Sequence, residues 1–133
     1  MSKGLKYTFL AHAIVSTIMG LGLALIPKTF SDWVNWSPVD PSMSRICGAF
    51  VLGIAVSSWL GFVAKEWEEV RIVVRMENGV TLFGLLVGLY AVLFDKGPSF
   101  LWVTVGIMAV FGILFVYYGN VFKTATVPAA QES

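Results

Sequence analysis

The chain has 133 residues, of which 57% are apolar and only 13% carry a formal charge. Soluble domains carry about a quarter charged residues, so this composition excludes an ordinary soluble domain and indicates a protein that uses the lipid bilayer as its solvent. The net charge is +1, and the basic residues are dispersed, which argues against nucleic-acid binding. Cys47 is the single cysteine, so an internal disulfide and a metal site built from several cysteines are excluded.

Two apolar runs dominate the first half of the chain. The first, over about residues 7–26, follows a short basic leader and is long enough to cross a bilayer. A cleaved signal peptide is the competing interpretation, but no small-residue cleavage site precedes Pro27. The second span is predicted over about residues 43–64, and Asp40 with Pro41 is typical of a helix start.

Residues 27–40 connect these two spans. Phe30, Trp33 and Val34 follow one another at i, i+3 and i+4, which predicts a short helix lying in the membrane interface, where tryptophan is favoured. Within the second span, small residues recur every four positions, a spacing that lets membrane helices approach closely; they are Ala49, Gly53, Ser57 and Gly61.

The second half begins with a charged segment, residues 65–78, whose part up to Arg75 is predicted to be a turn on the membrane surface. Two further spans follow, over about residues 74–94 and 99–119, and residues 120–133 are predicted to be a mobile cytoplasmic tail. The predicted fold class is an all-α membrane protein. We expect one domain, residues 1–133, formed by a four-transmembrane-helix bundle with a short interfacial helix between helices 1 and 2.

The distribution of lysine and arginine predicts the orientation in the membrane. Six of them lie at the termini or in the charged segment, and three lie on the opposite side; they are Lys3, Lys6, Lys65, Arg71, Arg75 and Lys123 against Lys28, Arg45 and Lys96. Because cytoplasmic loops carry the excess of positive charge, we expect a multi-pass protein of the cytoplasmic (inner) membrane with both termini in the cytoplasm.

Several positions resemble a known family. Pro27-x-x-Phe30, then Arg45-x-x-Gly48-Ala49-x-x-Leu52-Gly53 and Trp59, are similar to a pattern in the DoxX-like small prokaryotic four-helix membrane proteins. The resemblance covers about half of the chain and implies a four-helix bundle in the cytoplasmic membrane. Some members of that family are subunits associated with quinone-linked sulfur oxidation, but most have no assigned activity. The resemblance carries no catalytic residue over to this chain.

Glu77 is the most informative single residue. At 100° per residue, Glu77 lies on one helical stripe with Val70, Val74, Thr81 and Gly84. A glycine on such a stripe lets a neighbouring membrane helix approach closely, so this stripe is the expected packing face. Glu77 is therefore predicted to point inward near membrane depth, where an ionisable residue is a functional candidate.

His12 is the candidate partner of Glu77, because both are predicted at a similar level in the bundle. Ser57, Asn78 and Tyr117 come from the same halves of the other helices, so a polar ligand-binding cavity open to the cytoplasm is one interpretation. The simpler interpretation, which we prefer from the sequence alone, is that His12 and Glu77 satisfy each other or the headgroup region.

Arg45 with Asp40 marks the opposite mouth of the bundle. A functional interpretation makes Arg45 a binding site for an anionic headgroup or substrate, whereas a capped helix start with an interfacial arginine is the simpler one. No catalytic constellation and no set of metal ligands is predicted from the sequence, and it indicates no particular cofactor.

Three function classes stay open. From the sequence we expect an accessory or scaffold subunit of a membrane complex, and the first alternative is a small-molecule or proton-coupled carrier that uses a cytoplasm-facing polar cavity around His12 and Glu77. A membrane enzyme acting on a lipophilic substrate is the third. The expected partners are the lipid bilayer and either other membrane subunits or a second copy of the chain, without nucleic acid.

Overall fold

The computed structural model describes residues 1–36 and 38–125, with side chains as far as Val121. In these ranges the chain forms five helices, which are α1 (Lys3–Leu25), α2 (Pro27–Trp33), α3 (Pro41–Val63), α4 (Trp67–Leu93) and α5 (Phe100–Ala125). Four of them, α1, α3, α4 and α5, are long and apolar enough to cross a membrane. The predicted fold class, a four-helix membrane bundle with a short helix between the first two spans, is confirmed.

Local sequence signals explain where the helices begin and end. The Asp40 side chain accepts hydrogen bonds from the backbone N–H groups of Ser42 and Met43, at 2.8 and 3.2 Å, and so caps α3 as predicted. Between α4 and α5, Lys96 adopts a positive φ of 51°. The Gly97 N–H then donates to the Ala91 carbonyl at 3.2 Å, which satisfies one of the free carbonyls at the end of α4.

The charged segment behaves differently from its prediction as a surface turn. The stretch up to Arg75 is mostly helical, because α4 already begins at Trp67. Glu66 and Glu69 form a capping box that holds this start. At the other end of the chain, α5 continues to Ala125, so the first part of the predicted tail is helical, and residues 126–133 lie outside the described residues.

The four long helices form two hairpins, with α1 packed mainly on α3 and α4 packed mainly on α5. The N-terminus and the α3–α4 connection lie at one end of the bundle, where the Met1 ammonium donates to the Lys65 carbonyl at 3.5 Å. We call this end the α3–α4 end and the opposite one the α2 end.

The closest backbone approach of α1 and α3 does not use the predicted stripe of small residues, of which only Gly61 is buried, against the Phe9 ring. Ala49 is exposed, and nothing lies within 4 Å of the place where a Cβ on Gly53 would be. Instead α3 is rotated so that Gly48 faces α1, where an added Cβ would lie 2.6 Å from the Ala24 nitrogen and 2.9 Å from the Gly20 carbonyl oxygen. The small-residue principle holds, but the contact falls one position earlier than predicted.

An apolar core joins the two hairpins toward the α3–α4 end. Its buried members come from α1, α4 and α5, and they are Leu5, Phe9, Val70, Val74, Phe111 and Phe115. The outer faces of the long helices, by contrast, carry exposed large apolar side chains such as Phe50, Phe83 and Ile113. Such a surface is stable against lipid rather than water. Inside the bundle, one polar cluster lies directly beside the apolar core.

Candidate functional site

Glu77 and His12 lie together in the interior of the bundle. Glu77 is 0% exposed and His12 is 3% exposed. Because α4 begins at Trp67, Glu77 lies about 15 Å along its helix at 1.5 Å per residue. Its carboxylate oxygen Oε2 is 3.6 Å from His12 Nδ1, so the α1 and α4 residues singled out from the sequence face each other.

Helix α3 contributes two hydroxyl groups to the carboxylate. Ser57 Oγ and Ser58 Oγ each donate to Glu77 Oε1, both at 2.9 Å. Ser58 Oγ also lies 2.9 Å from His12 Nδ1. Ser58 therefore sits between the imidazole and the carboxylate and is fully buried. We call His12, Ser57, Ser58 and Glu77 the His12–Glu77 cluster.

The Ser58 hydroxyl permits two proton arrangements within this geometry. In one, a His12 imidazolium, protonated on both ring nitrogens, donates its Nδ1–H to Ser58, whose hydroxyl donates to an ionised Glu77. In the other, a protonated Glu77 donates to Ser58, whose hydroxyl donates to the unprotonated Nδ1 of a neutral imidazole that keeps its proton on Nε2. The change from the first to the second moves one proton from the imidazole to the carboxylate while the non-hydrogen atoms stay in place. The geometry of the cluster therefore permits a proton to pass between His12 and Glu77 through Ser58.

Aromatic rings enclose the imidazole on the side of α5. The centroid of the His12 ring is 4.5 Å from that of Phe111 and 5.5 Å from that of Phe115, the latter in an edge-on arrangement. These rings exclude water from this side of the cluster and leave the imidazole few polar groups to contact. In such surroundings a hydrogen bond is electrostatically stronger than in water, and an unpaired polar atom is more costly.

One oxygen atom of the cluster lacks a hydrogen-bond partner among the described residues. Glu77 Oε2 is buried, and no described residue gives it a hydrogen bond. Buried polar atoms usually have a partner, and an exception requires an explanation. His12 Nδ1 lies 3.6 Å from this oxygen, so a small shift would bring it within hydrogen-bond distance. Either a proton on Nδ1 or a proton on Oε2 would then form the hydrogen bond.

Asn78 and Tyr117 were predicted to join the same site, but they line a different space. They contribute to a largely apolar groove of about 450 Å³ between α4 and α5, together with Leu82, Leu85 and Met108. Asn78 Oδ1 is buried, and no described residue gives it a hydrogen bond. These two residues therefore face away from the His12–Glu77 cluster.

Arg45 is exposed at the α2 end, on the first turn of α3 next to the Asp40 cap. No contact among the described residues marks Arg45 as an anion site, so the anion-binding role of Arg45 stays a prediction from the sequence.

Ser58 is the site residue that the sequence reasoning missed. Its neighbour Ser57 was selected for its position in the same half of the bundle as His12 and Glu77, whereas Ser58 belongs to the buried face of α3 with Ser44, Gly48 and Ala55. A period of three to four residues starting from Gly48 would have found it. Both serines reach Glu77, but only Ser58 also reaches His12.

Comparison of this chain with family models, with curated proteins and with solved structures gave no match. The DoxX-like resemblance therefore stays a prediction that rests on the quoted positions alone.

Proposed function

We propose that this protein is a proton-coupled carrier of the cytoplasmic membrane, with both termini in the cytoplasm. The observation that carries the proposal is the relay from His12 Nδ1 through Ser58 Oγ to Glu77 Oε1, with two contacts of 2.9 Å inside a membrane-spanning bundle. Ionisable residues buried at membrane depth are costly, and they mark proton relays and substrate pathways. Four packed helices alone do not require such a cluster.

The chemistry assigns a role to each member of the cluster. Glu77 is the group that takes up and releases the proton, and Ser58 passes the proton to and from His12. Ser57 is a second donor that holds the carboxylate in place. The net charge of the His12–Glu77 pair is unchanged by transfer within the relay, so neither arrangement leaves an unpaired charge in the bundle, although the ionised arrangement carries the desolvation cost of a buried ion pair.

Proton flux into proteoliposomes tests the carrier. The purified chain is reconstituted with a pH-sensitive dye inside, and a potassium gradient with valinomycin supplies the driving force. We expect proton uptake above that of empty liposomes, reduced to the empty level by Glu77→Gln and strongly reduced by His12→Ala. Glu77→Gln keeps the shape of the side chain and removes its exchangeable proton, so equal uptake by the Glu77→Gln variant and the unaltered chain would contradict the proposal.

An accessory subunit of a membrane complex is the second candidate. The groove between α4 and α5 favours it, because a transmembrane helix of another subunit could fill the groove and give Asn78 Oδ1 a hydrogen-bond donor. The flux measurement separates the two candidates: a chain that shows no Glu77-dependent uptake by itself argues for the accessory role.

The orientation has its own support in the distribution of lysine and arginine across the membrane. Reporter fusions to each terminus test it, and a terminus that reports from outside the cytoplasm contradicts it.

A further inference from the structure

A second cavity, of about 540 Å³, opens between α3 and α4 at the α3–α4 end. Lys65 and Glu69 are exposed charged residues at its mouth, whereas Gly61 and Val73 belong to its inner lining. We call it the α3–α4 crevice. It exists because the two hairpins pack tightly within themselves and touch each other much less along α3 and α4.

The lining of the crevice includes no residue of the His12–Glu77 cluster, and helical spacing gives the distance between the two. Residues four apart lie on one face of a helix, one turn from each other. Ser57 precedes Gly61 by four positions on α3, and Glu77 follows Val73 by four positions on α4. The hydrogen bond from Ser57 Oγ to Glu77 Oε1 therefore lies one helical turn beyond the inner lining of the crevice.

Ser57 differs from Ser58 in two respects that suit a position at the end of a water-accessible path. Its side chain is only partly buried, whereas Ser58 is completely buried. Ser57 Oγ also has two acceptors within reach, the Ile54 carbonyl at 2.8 Å and Glu77 Oε1 at 2.9 Å. Because a hydroxyl has only one hydrogen to donate, Ser57 can turn it toward one acceptor or the other.

We propose that the α3–α4 crevice is the path by which Glu77 exchanges its proton with water on the α3–α4 side, and that Ser57 is the last group on this path. A hydronium ion gives a proton to Ser57 Oγ while the Ser57 hydroxyl passes its own hydrogen to Glu77 Oε1. The products are water, an unchanged serine and a neutral carboxyl group. The inference rests on the proposed function and adds the route and the side of the membrane.

Cysteine accessibility tests the route in a Cys47→Ser background, which removes the only native thiol. Val73→Cys places a thiol in the crevice, and Ile72→Cys places one at the same depth on the exposed outer face of α4. A small cationic methanethiosulfonate, which does not cross membranes, is added, and both modification and proton uptake are measured. Uptake by the unmodified Val73→Cys variant serves as its own folding control.

We expect the reagent to modify Val73→Cys and to lower its proton uptake to the level of Glu77→Gln, whereas modified Ile72→Cys keeps its uptake. When the reagent is added to intact cells and to inverted vesicles, we expect modification only in the preparation that exposes the α3–α4 end to the reagent. A Val73→Cys thiol that does not react, or that reacts without loss of uptake, would overturn the route. If the unmodified background shows no Glu77-dependent uptake, the carrier itself fails, and the reactivity at Val73→Cys still decides whether water enters the crevice.

Discussion

Helix α1 meets α3 in two different ways along its length. Toward the α2 end, the two backbones touch at Gly48, beside Gly20 and Ala24, with no side chain between them. Toward the α3–α4 end, the contact runs through polar side chains, His12 and Ser58, and α4 adds Glu77. Each half also has a contact of the other kind, from Ser44 Oγ to the Leu23 carbonyl at 3.4 Å toward the α2 end and from Gly61 to the Phe9 ring toward the α3–α4 end. What distinguishes the second half is that it buries ionisable side chains.

Within one helix pair, the glycine contact stabilises the packing, whereas the polar contact brings ionisable groups together. Close approach at small residues gives membrane helices van der Waals contact without burying any polar group. A buried imidazole and carboxylate must instead recover the cost of leaving water through their hydrogen bonds. The Gly48 contact shows that this sequence can join α1 to α3 without ionisable groups, which is why we assign a chemical role to the His12–Glu77 cluster.

The largest expected effect on stability comes from the glycine contact. Gly48→Ala places a Cβ 2.6 Å from a backbone nitrogen that cannot move aside by a rotamer change. We expect a loss of about 1–3 kcal/mol in the free energy of unfolding, the usual range for overpacking. Gly53→Ala on the same helix is the matched control, since nothing lies within 4 Å of its Cβ position. Unfolding of both variants in one detergent measures the difference; equal stability would mean that the contact is not as close as described.

A smaller effect is expected when a hydroxyl of the polar half is removed. Ser58→Ala takes a partner from both His12 and Glu77 and leaves buried polar atoms unsatisfied, which costs about 1–3 kcal/mol in other proteins, with the lower part of that range expected here. Ser57→Ala is the control, because Ser57 is partly exposed and Glu77 keeps the Ser58 hydrogen bond. The same unfolding measurement should rank Ser58→Ala as the less stable of the two, and the reverse order would argue against Ser58 as the central residue.

Much of this arrangement could be predicted from the sequence, for reasons that concern single helices. Length and apolar content indicate the four spans, and the 100° spacing places Glu77 on the buried stripe with Val70, Val74 and Thr81, all of which are buried. The Asp40 cap likewise depends only on neighbouring residues. Each of these features is settled within one element.

The features that the sequence did not reveal depend on how helices are rotated against each other. A strict four-residue repeat drifts around a helix of 3.6 residues per turn, so the predicted Ala49–Gly53 stripe leaves the buried face, which instead runs through Gly48, Ala55 and Ser58. Asn78 follows Glu77 directly, so it points to α5 rather than into the cluster. The early start of α4 at Trp67 was missed because charged residues suit a surface turn as well as the exposed face of a capped helix.

Nitrogen-15 NMR of His12 tests the central claim most directly, because His12 is the only histidine in the chain and its imidazole gives a single set of signals. The signals are followed between about pH 4 and pH 9, a range that brackets most histidine titrations, in the unaltered protein, in Glu77→Gln and in Ser58→Ala. Two groups that share a proton titrate as a pair. We therefore predict that Glu77→Gln and Ser58→Ala each change the Nδ1 and Nε2 signals of His12 and their dependence on pH. Signals that are identical in all three proteins over this range would contradict a shared proton.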